Sequence, residues 1–467
     1  MSITFTPTLA HRLAAYAHHL SFDKLPKEVV HEAKRVVIDS FGTALGAYHE
    51  QPVAAARKLA CEFSANKGAT VLGTKHKAPP DWAAFTNCYH VRYFDYNDTY
   101  LSKEPAHPSD NICAVLAAGE SVGANGRQWI EAIVLAYEVQ CRFCDAVSIR
   151  ARGWDHVTYG AFSTALGCAK IFGLDVEKMR HAVNIGGVAC AALRQSRVGE
   201  LSHWKGCAFA NAARQGVYGA MLARAGITGP APIFEGEKGF DKLVAGEPMH
   251  VPYPFGERPM PQASADDYMI RQSCIKYYPA EYHAQSAVYI ALELKKSMGI
   301  KDGSEVESIL IESHDAAVDI IGSEPEKWRP DSRETADHSL PYMVAAALAD
   351  GELTDKQFEP SRFKNEKLLS LVAKVKVQRH AELSAMYPGA VGNIVHIKLK
   401  EGRTSTMRLD HAPGHAKNRL SDDQLLLKYH TLSDPIVGKD RAGKLADWVW
   451  KLDGQTDLSG VFRFIEM

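Results

Sequence analysis

Apolar residues in the first half of the chain recur at a spacing close to the 3.6-residue period of an α-helix. In the segment 26–47 they stand at Val29, Val30, Ala33, Val37 and Phe41. Pro26 occupies a position where a helix begins without losing a backbone hydrogen bond. The same reading predicts further helices at 111–122, 129–147, 160–172, 176–193 and 208–225, separated by glycines. Their apolar faces are rich in alanine, glycine, serine and cysteine, which favours close approach of helix axes.

The pattern changes after about Pro261, where β-branched residues alternate partly with polar ones. The segments 306–313, 372–377, 394–399 and 404–409 are therefore predicted strands, and Glu401-Gly402 is predicted to turn the third into the fourth. Helical patterning lies before the first strand at 284–298 and between the first and second at 336–349. The mixture indicates an α+β domain without regular βαβ alternation.

Helical patterning returns at the end of the chain, in 422–429 and 441–452. A chain of 467 residues is too long for one ordinary core, so two domains are expected. We predict a mainly α protein with a large all-helical domain formed by 1–265 and 412–467. The remaining residues, 266–411, form a smaller α+β domain.

Charge and apolar content narrow the class of protein. The 54 basic and 55 acidic residues nearly cancel, which argues against binding to nucleic acid or to an anionic membrane surface. The first residues lack a basic start followed by an apolar run, and no segment reaches the roughly 18 to 20 apolar residues that span a bilayer. We therefore expect a cytoplasmic protein.

Cysteine usage and common motifs give no indication of a metal or cofactor. Nine cysteines are thinly spread, and Cys141 and Cys144 form a CxxC within a predicted helix, without a second CxxC. Core packing of reduced thiols explains them better than redox or zinc chemistry. The sequence has no GxGxxG after a predicted strand, no GxxxxGK[ST] and no HExxH. We expect neither a cofactor nor a metal.

Two short stretches combine acids, histidines and aromatics with proline. One is Phe94-Asp-Tyr-Asn-Asp-Thr99 with the closely following His107-Pro-Ser-Asp-Asn111, and the other is Lys276-Tyr-Tyr-Pro-Ala-Glu-Tyr-His283. This composition suits an acid/base site on rigid turns better than a solvated surface.

These stretches, together with Pro279-Ala-Glu-Tyr-His-Ala-Gln285 and Ala336-Asp-His-Ser-Leu-Pro-Tyr342, resemble the MmgE/PrpD family over nearly the whole chain. That family includes 2-methylcitrate dehydratase, cis-aconitate decarboxylase and an iminodisuccinate epimerase. The resemblance implies a helical domain with a smaller α+β lid, a homodimer, and lyase or isomerase chemistry without a cofactor. A small polycarboxylate is the implied substrate.

The resemblance also implies particular site residues. Asp95, His107 and His156 stand at family active-site positions, and Tyr342 corresponds to a family tyrosine. Either histidine is a candidate for proton transfer as a pair with Asp95, and the sequence leaves open which histidine removes the proton from carbon. Thr99 and His283 are candidates for substrate binding.

Lysines are candidates for holding the substrate's carboxylates. Lys205 precedes an alanine-rich predicted helix whose N-terminus also attracts anions, and Lys276 is followed by two tyrosines and a proline. In family terms both stand at substrate-binding lysine positions.

Structural alternatives remain for several candidates. Asp98, Thr99 and Asp110 have the composition of a turn and a helix cap. The Asp155-His156 pair is also typical of a structural hydrogen bond, and Tyr342 is equally suited to a buried core position.

The implied function is dehydration of 2-methylcitrate to 2-methylaconitate in propionate catabolism. Departures from that subgroup, such as Pro105-Ala106 in place of Trp-Gly, leave the substrate open. A cis-aconitate decarboxylase or another family lyase or epimerase is the alternative. A non-catalytic carboxylate-binding protein is a third possibility, but the presence of every candidate site residue argues against it.

Overall fold

The structure is a computed structural model that describes residues 7–190, 192–198, 201–256 and 259–467. It divides into two compact units. The larger comprises Met1–Tyr93, Asn97–Ser273 and Ser421–Met467, and the smaller comprises Phe94–Tyr96 and Cys274–Leu420. These boundaries lie eight to nine residues beyond the predicted ones (273 − 265 = 8; 420 − 411 = 9), and three residues from the first half join the smaller unit.

The larger unit is built almost entirely of helices. Its helices of nine or more residues span Leu9–His19, Lys27–Gly46, Gln51–Ala60, Pro80–Arg92, Ile112–Glu120, Gly126–Ala146, Thr158–Ile171, Val176–Ala189, Trp204–Arg224, Asp422–Val437 and Lys439–Trp450. A short antiparallel pair, β1 (Ala69–Thr70) with β2 (Lys77–Ala78), was not predicted from the sequence pattern. The mainly helical fold class is confirmed.

Small residues let helices of this unit approach closely. Helix Trp204–Arg224 packs against Thr158–Ile171. A Cβ on Gly216 would lie 2.7 Å from Thr164 Cβ, and one on Gly160 would lie 2.4 Å from the Phe209 ring. Larger side chains at these positions would push the helices apart, because protein interiors have little free volume.

The chain's last helices belong to this same unit. Helix Asp422–Val437 packs on Lys27–Gly46. Lys428 Nζ lies 2.6 Å from Asp39 Oδ1, and both side chains are almost fully buried. The predicted segment 422–429 is therefore only the first half of a longer helix.

The smaller unit contains a four-stranded sheet in the order β4-β3-β5-β6. The strands are β3 (Val306–Ser313), β4 (Val375–Arg379), β5 (Asn393–Leu399) and β6 (Thr404–Leu409). β3 and β4 are parallel, whereas β5 is antiparallel to both β3 and β6. Gly402 makes the predicted β5–β6 turn with a φ of 93°. A residue with a Cβ adopts this backbone conformation only with strain.

Helices complete this unit. They span Gln285–Met298, Asp315–Ile321, Arg333–Ala336, Leu340–Asp350, Pro360–Phe363, Glu366–Val372 and Ala381–Met386. Leu340–Asp350 and Gln285–Met298 pack together, and inward residues of β3 and β5 complete one apolar core. The predicted strand 372–377 is corrected to Val375–Arg379, because Val372 ends a helix in that core.

No helix in the described ranges has both the length and the apolar content needed to cross a lipid bilayer. Each of the nine cysteines lies in the described ranges, and none forms a disulfide there.

Candidate active site

His156 in the larger unit is positioned by an irregular segment that the sequence pattern did not predict. A helix was expected over 176–193, but the helix ends at Ala189, and residue 191 lies outside the described ranges. Residues 192–194 instead pair with 153–155 through Asp155 N–H to Ala192 O at 2.8 Å and Arg194 N–H to Gly153 O at 2.9 Å. This pairing holds Asp155 and His156 just before helix Thr158–Ile171.

Asp155 lies behind the His156 ring and accepts hydrogen bonds from several directions. Its Oδ1 is 2.9 Å from His156 Nδ1. Its Oδ2 accepts from Arg197 Nε at 2.8 Å and from Ser196 Oγ at 2.6 Å. Burial alone would raise the pKa of Asp155, but Arg197 and His156 outweigh it and hold the pKa well below its usual range. Asp155 is therefore a carboxylate.

This carboxylate fixes the tautomer of His156. A carboxylate only accepts hydrogen bonds, so we assign the proton to Nδ1, which leaves a lone pair on Nε2. The residue is 6% exposed, and Nε2 has no hydrogen-bond partner among the described residues. A histidine that is oriented by a carboxylate and keeps an unused lone pair on Nε2 has the arrangement of a general base.

His107 lies next to His156, with ring centroids 5.9 Å apart. Its Nδ1 is 2.7 Å from the Asp98 carbonyl oxygen and 3.1 Å from Thr99 Oγ1. The carbonyl can only accept, so Nδ1 carries the proton here too. The larger unit thus brings together three candidates, His107, His156 and Thr99.

Asp98 and Asp110 order the turn that carries His107. Asp98 accepts from Ser109 N at 3.0 Å and from Tyr137 Oη at 2.7 Å. Asp110 accepts from Asn97 Nδ2 at 2.7 Å. Burial raises the pKa of Asp98 to about 6 and that of Asp110 to about 7. These contacts support a structural role for both residues, in ordering the turn, over a catalytic one.

Lys205 is the second residue of helix Trp204–Arg224 and is 7% exposed. The helix begins four residues earlier than the predicted start at 208, so Lys205 lies within its first turn. The helix dipole favours anions at this end of the helix, which adds to the lysine's positive charge.

Asp95 and Lys276 form a buried ion pair in the smaller unit. Lys276 Nζ lies 2.7 Å from Asp95 Oδ1 and 2.6 Å from the Asp95 carbonyl oxygen. The lysine side chain is 1% exposed and that of the aspartate 5%. Among the described residues Asp95 is the only non-glycine with positive φ, at 50°. This left-handed conformation, which aspartate tolerates better than most residues, turns carbonyl and carboxylate towards the same ammonium.

His338 and Glu281 also belong to this group, and the sequence reasoning did not select them. His338 Nε2 is 3.6 Å from Asp95 Oδ2, and its Nδ1 is 2.5 Å from Asp337 Oδ1. Glu281 N–H donates to the Asp337 carbonyl oxygen at 3.0 Å, and burial raises the pKa of the Glu281 carboxyl group. The available signal was the adjacent Asp337-His338, an aspartate followed by a histidine as in Asp155-His156.

His283 is buried beside this group, with Nε2 3.8 Å from Glu281 Oε1. Its ring also contacts those of His314 and Tyr387, with centroids 4.8 and 5.6 Å away. Tyr342 lies elsewhere, in the apolar core of the smaller unit, where its hydroxyl donates to the Gln357 carbonyl oxygen. These contacts are those expected if Tyr342 is a buried core residue, and its catalytic role stays a prediction.

Metal-ligating residues do not gather within the described ranges. There, no group of three or more His, Cys, Asp or Glu side chains is arranged to hold a metal ion. Cys141 and Cys144 are fully buried in helix Gly126–Ala146, and burial raises the pKa of both thiols well above the usual value.

Comparison with known proteins identifies the family. A 2-methylcitrate dehydratase of Salmonella typhi is 27% identical over 376 residues, 75% of this chain and 74% of its own. One of Cupriavidus necator is 28% identical over 385 residues, 77% and 76% of the two chains. A cis-aconitate decarboxylase of Mus musculus is 24% identical over 471 residues, 97% and 92%. Residues 11–251 match the MmgE/PrpD N-terminal domain and residues 278–453 the MmgE/PrpD C-terminal domain. Because these two matches extend over most of the chain, the protein belongs to the MmgE/PrpD family, as its motifs predicted.

Proposed function

We propose that the protein is a lyase that dehydrates 2-methylcitrate to 2-methylaconitate by acid/base catalysis, without a cofactor. The observation that carries the proposal is the His156–Asp155 pair, in which the buried Nε2 has no hydrogen-bond partner among the described residues. The names of the two bacterial dehydratase relatives support the choice of substrate. A place in propionate catabolism follows from that substrate.

Dehydration requires a base for a carbon-bound proton and an acid for the departing hydroxyl. In the proposed step His156 Nε2 takes the proton, the C–H electron pair forms the double bond, and the C–O bond breaks. The hydroxyl leaves as water after receiving a proton. His156 is better suited than His107 to act as the base. The Nδ1 of His156 faces a carboxylate, whereas the Nδ1 of His107 faces a neutral carbonyl, and a carboxylate stabilises the protonated imidazolium more strongly. His107 is then the candidate acid.

Holding the substrate requires cations for its carboxylates. Lys205, in the first turn of its helix, is assigned to one carboxylate, and Thr99 is a candidate hydrogen-bond donor. Lys276 is assigned to another, and Asp95 orients its ammonium group, while His338 lies at the other oxygen of the Asp95 carboxylate. His283 remains a candidate substrate contact. A homodimer and a cytoplasmic location are part of the proposal, and both rest on the family and sequence reasoning.

A cis-aconitate decarboxylase is the second candidate. The Mus musculus relative with that name aligns with 97% of this chain, compared with 75% for the Salmonella typhi dehydratase. The same residues serve that reaction: a carboxylate leaves as carbon dioxide, and the resulting carbanion takes a proton from a histidine.

The test uses purified, chelator-treated protein with 2-methylcitrate, citrate and cis-aconitate in separate incubations. Ultraviolet absorbance follows the conjugated double bond, and mass spectrometry identifies the products. We expect 2-methylaconitate from 2-methylcitrate and its loss in His156→Gln. His31→Gln, which changes an exposed histidine of the same unit, is the matched control and is expected to retain activity.

The other possible outcomes distinguish the candidate functions. Carbon dioxide from cis-aconitate, without dehydration of 2-methylcitrate, would establish the decarboxylase instead. Full activity of His156→Gln would remove His156 from the mechanism. No reaction with any of the three acids would refute the assigned substrate and favour epimerisation or another hydroxy-acid lyase.

A further inference from the structure

Arg197 is not among the residues that sequence reasoning selected, yet it makes a direct ion pair with the carboxylate behind His156. Its Nε lies 2.8 Å from Asp155 Oδ2, while His156 Nδ1 lies 2.9 Å from the other oxygen of the same carboxylate. Asp155 is fully buried, and the Arg197 side chain is only 12% exposed. The three side chains therefore form a line of hydrogen bonds, cation to carboxylate to imidazole.

We propose that Arg197 is a positioning residue: it neutralises Asp155 from the side away from His156 and so sets how readily His156 Nε2 takes up a proton. The inference rests on the proposed role of His156 as the base. A lone buried carboxylate holds imidazolium strongly and makes a base that releases its proton slowly. A cation on the opposite oxygen weakens that attraction while leaving the hydrogen bond to Nδ1 intact.

Several other charged or titratable groups surround the line. They are Arg194 on the same short helical segment, Cys190 at the end of the preceding helix, His107 against the His156 ring, and Asp110 near Arg197. Burial raises the pKa of Cys190 to about 12, so this thiol is neutral at ordinary pH. Arg197 forms a direct ion pair with Asp155. It is therefore the group whose charge acts most directly on Asp155.

Ser196 provides a matched control. Its hydroxyl donates to the same Oδ2 at 2.6 Å but carries no charge. If Arg197 merely packs and orients Asp155, removal of either donor should have similar consequences. If Arg197 acts through its charge, only its removal should change the protonation of His156.

The experiment is a pH titration of the full-length protein with isotopically labelled histidine, followed by NMR. The His156 signal is assigned by its loss in His156→Gln. In Arg197→Gln, which can keep a hydrogen bond but not the charge, we expect the protonation midpoint of His156 to rise by about one pH unit. This is the size expected from a unit charge two hydrogen bonds away in a partly screened site. Arg197→Lys should restore the original midpoint, and Ser196→Ala should leave it nearly unchanged.

An unchanged midpoint in Arg197→Gln, or an equal shift in Ser196→Ala, would overturn the proposal. If Arg197→Gln does not fold, the double variant Asp155→Asn/Arg197→Gln removes both charges and leaves no carboxylate buried without its cation. Its midpoint should lie above that of Asp155→Asn, and an equal midpoint would also overturn the proposal. The titration needs no substrate, so its outcome is independent of whether 2-methylcitrate is the right one. In an active enzyme, the pH profile of kcat/KM should shift in the same direction.

Discussion

Replacing Lys276 with methionine tests whether its buried ion pair serves both stability and turnover. The change keeps an unbranched side chain, one atom shorter, but removes two hydrogen bonds, of 2.7 Å to the Asp95 carboxylate and 2.6 Å to the Asp95 carbonyl. The lysine and aspartate side chains are 1% and 5% exposed, so the carboxylate loses the lysine's charge in a site that is largely shielded from water. Breaking such a buried pair costs about 3–5 kcal/mol of unfolding free energy.

A loss of that size leaves most proteins folded, because natural stabilities are about 5–15 kcal/mol. Turnover should fall as well. Loss of one charged contact to a substrate carboxylate weakens binding by about 1.5–3 kcal/mol, which corresponds to about 10- to 150-fold in kcat/KM. Urea unfolding followed by circular dichroism gives the first quantity, and 2-methylcitrate turnover at fixed ionic strength gives the second.

Lys428→Met is the matched control. Lys428 is also a buried lysine, 2.6 Å from the Asp39 carboxylate, but it lies in the helical unit and among none of the candidate site residues. It should lose comparable stability and keep its activity per folded molecule. The reasoning is refuted if Lys276→Met retains its kcat/KM, or if both variants lose activity equally.

Three further predictions concern other residues. Lys205→Met should raise KM for 2-methylcitrate about 10-fold or more with a smaller change in kcat, and an unchanged KM would remove Lys205 from substrate binding. Tyr342→Phe should lower the unfolding free energy by about 1 kcal/mol, because the Gln357 carbonyl loses its donor, whereas a fall in kcat at unchanged stability would instead favour a catalytic role. Burial lowers the pKa of His90 to about 3 in the folded protein. Between pH 6.5 and pH 3 the unfolded chain therefore binds a proton at His90 that the folded protein does not bind. The contribution of His90 to the free energy of unfolding is therefore complete above about pH 6.5. It is lost as the pH falls towards 3, by about 1.4 kcal/mol per pH unit. The fall in urea midpoint between pH 7 and pH 5 should accordingly be smaller in His90→Gln, and an equal fall in both proteins would contradict the assignment.

Local patterning accounts for most of the secondary structure. The helix over 26–47 and the β5–β6 hairpin agree with the structure to within a residue or two, because helical periodicity and the Gly402 turn are encoded in neighbouring residues. Two of the local errors occur where another element intervenes. The helix predicted to reach 193 stops at Ala189 because residues 192–194 pair with 153–155. The strand predicted from 372 begins at 375 because Val372 completes a helix in the core.

The sequence by itself determined the family, the mainly helical class and most of the candidate residues, since each depends on short motifs or local periodicity. Only the tertiary structure decided which side chains contact one another. It brought Arg197 to Asp155 and His338 to Asp95 across 42 and 243 positions of the chain (197 − 155 = 42; 338 − 95 = 243). It also placed the Tyr342 hydroxyl against a core carbonyl. Contacts between distant residues depend on how buried charges and hydrogen bonds are satisfied in the folded core, and no local pattern encodes that.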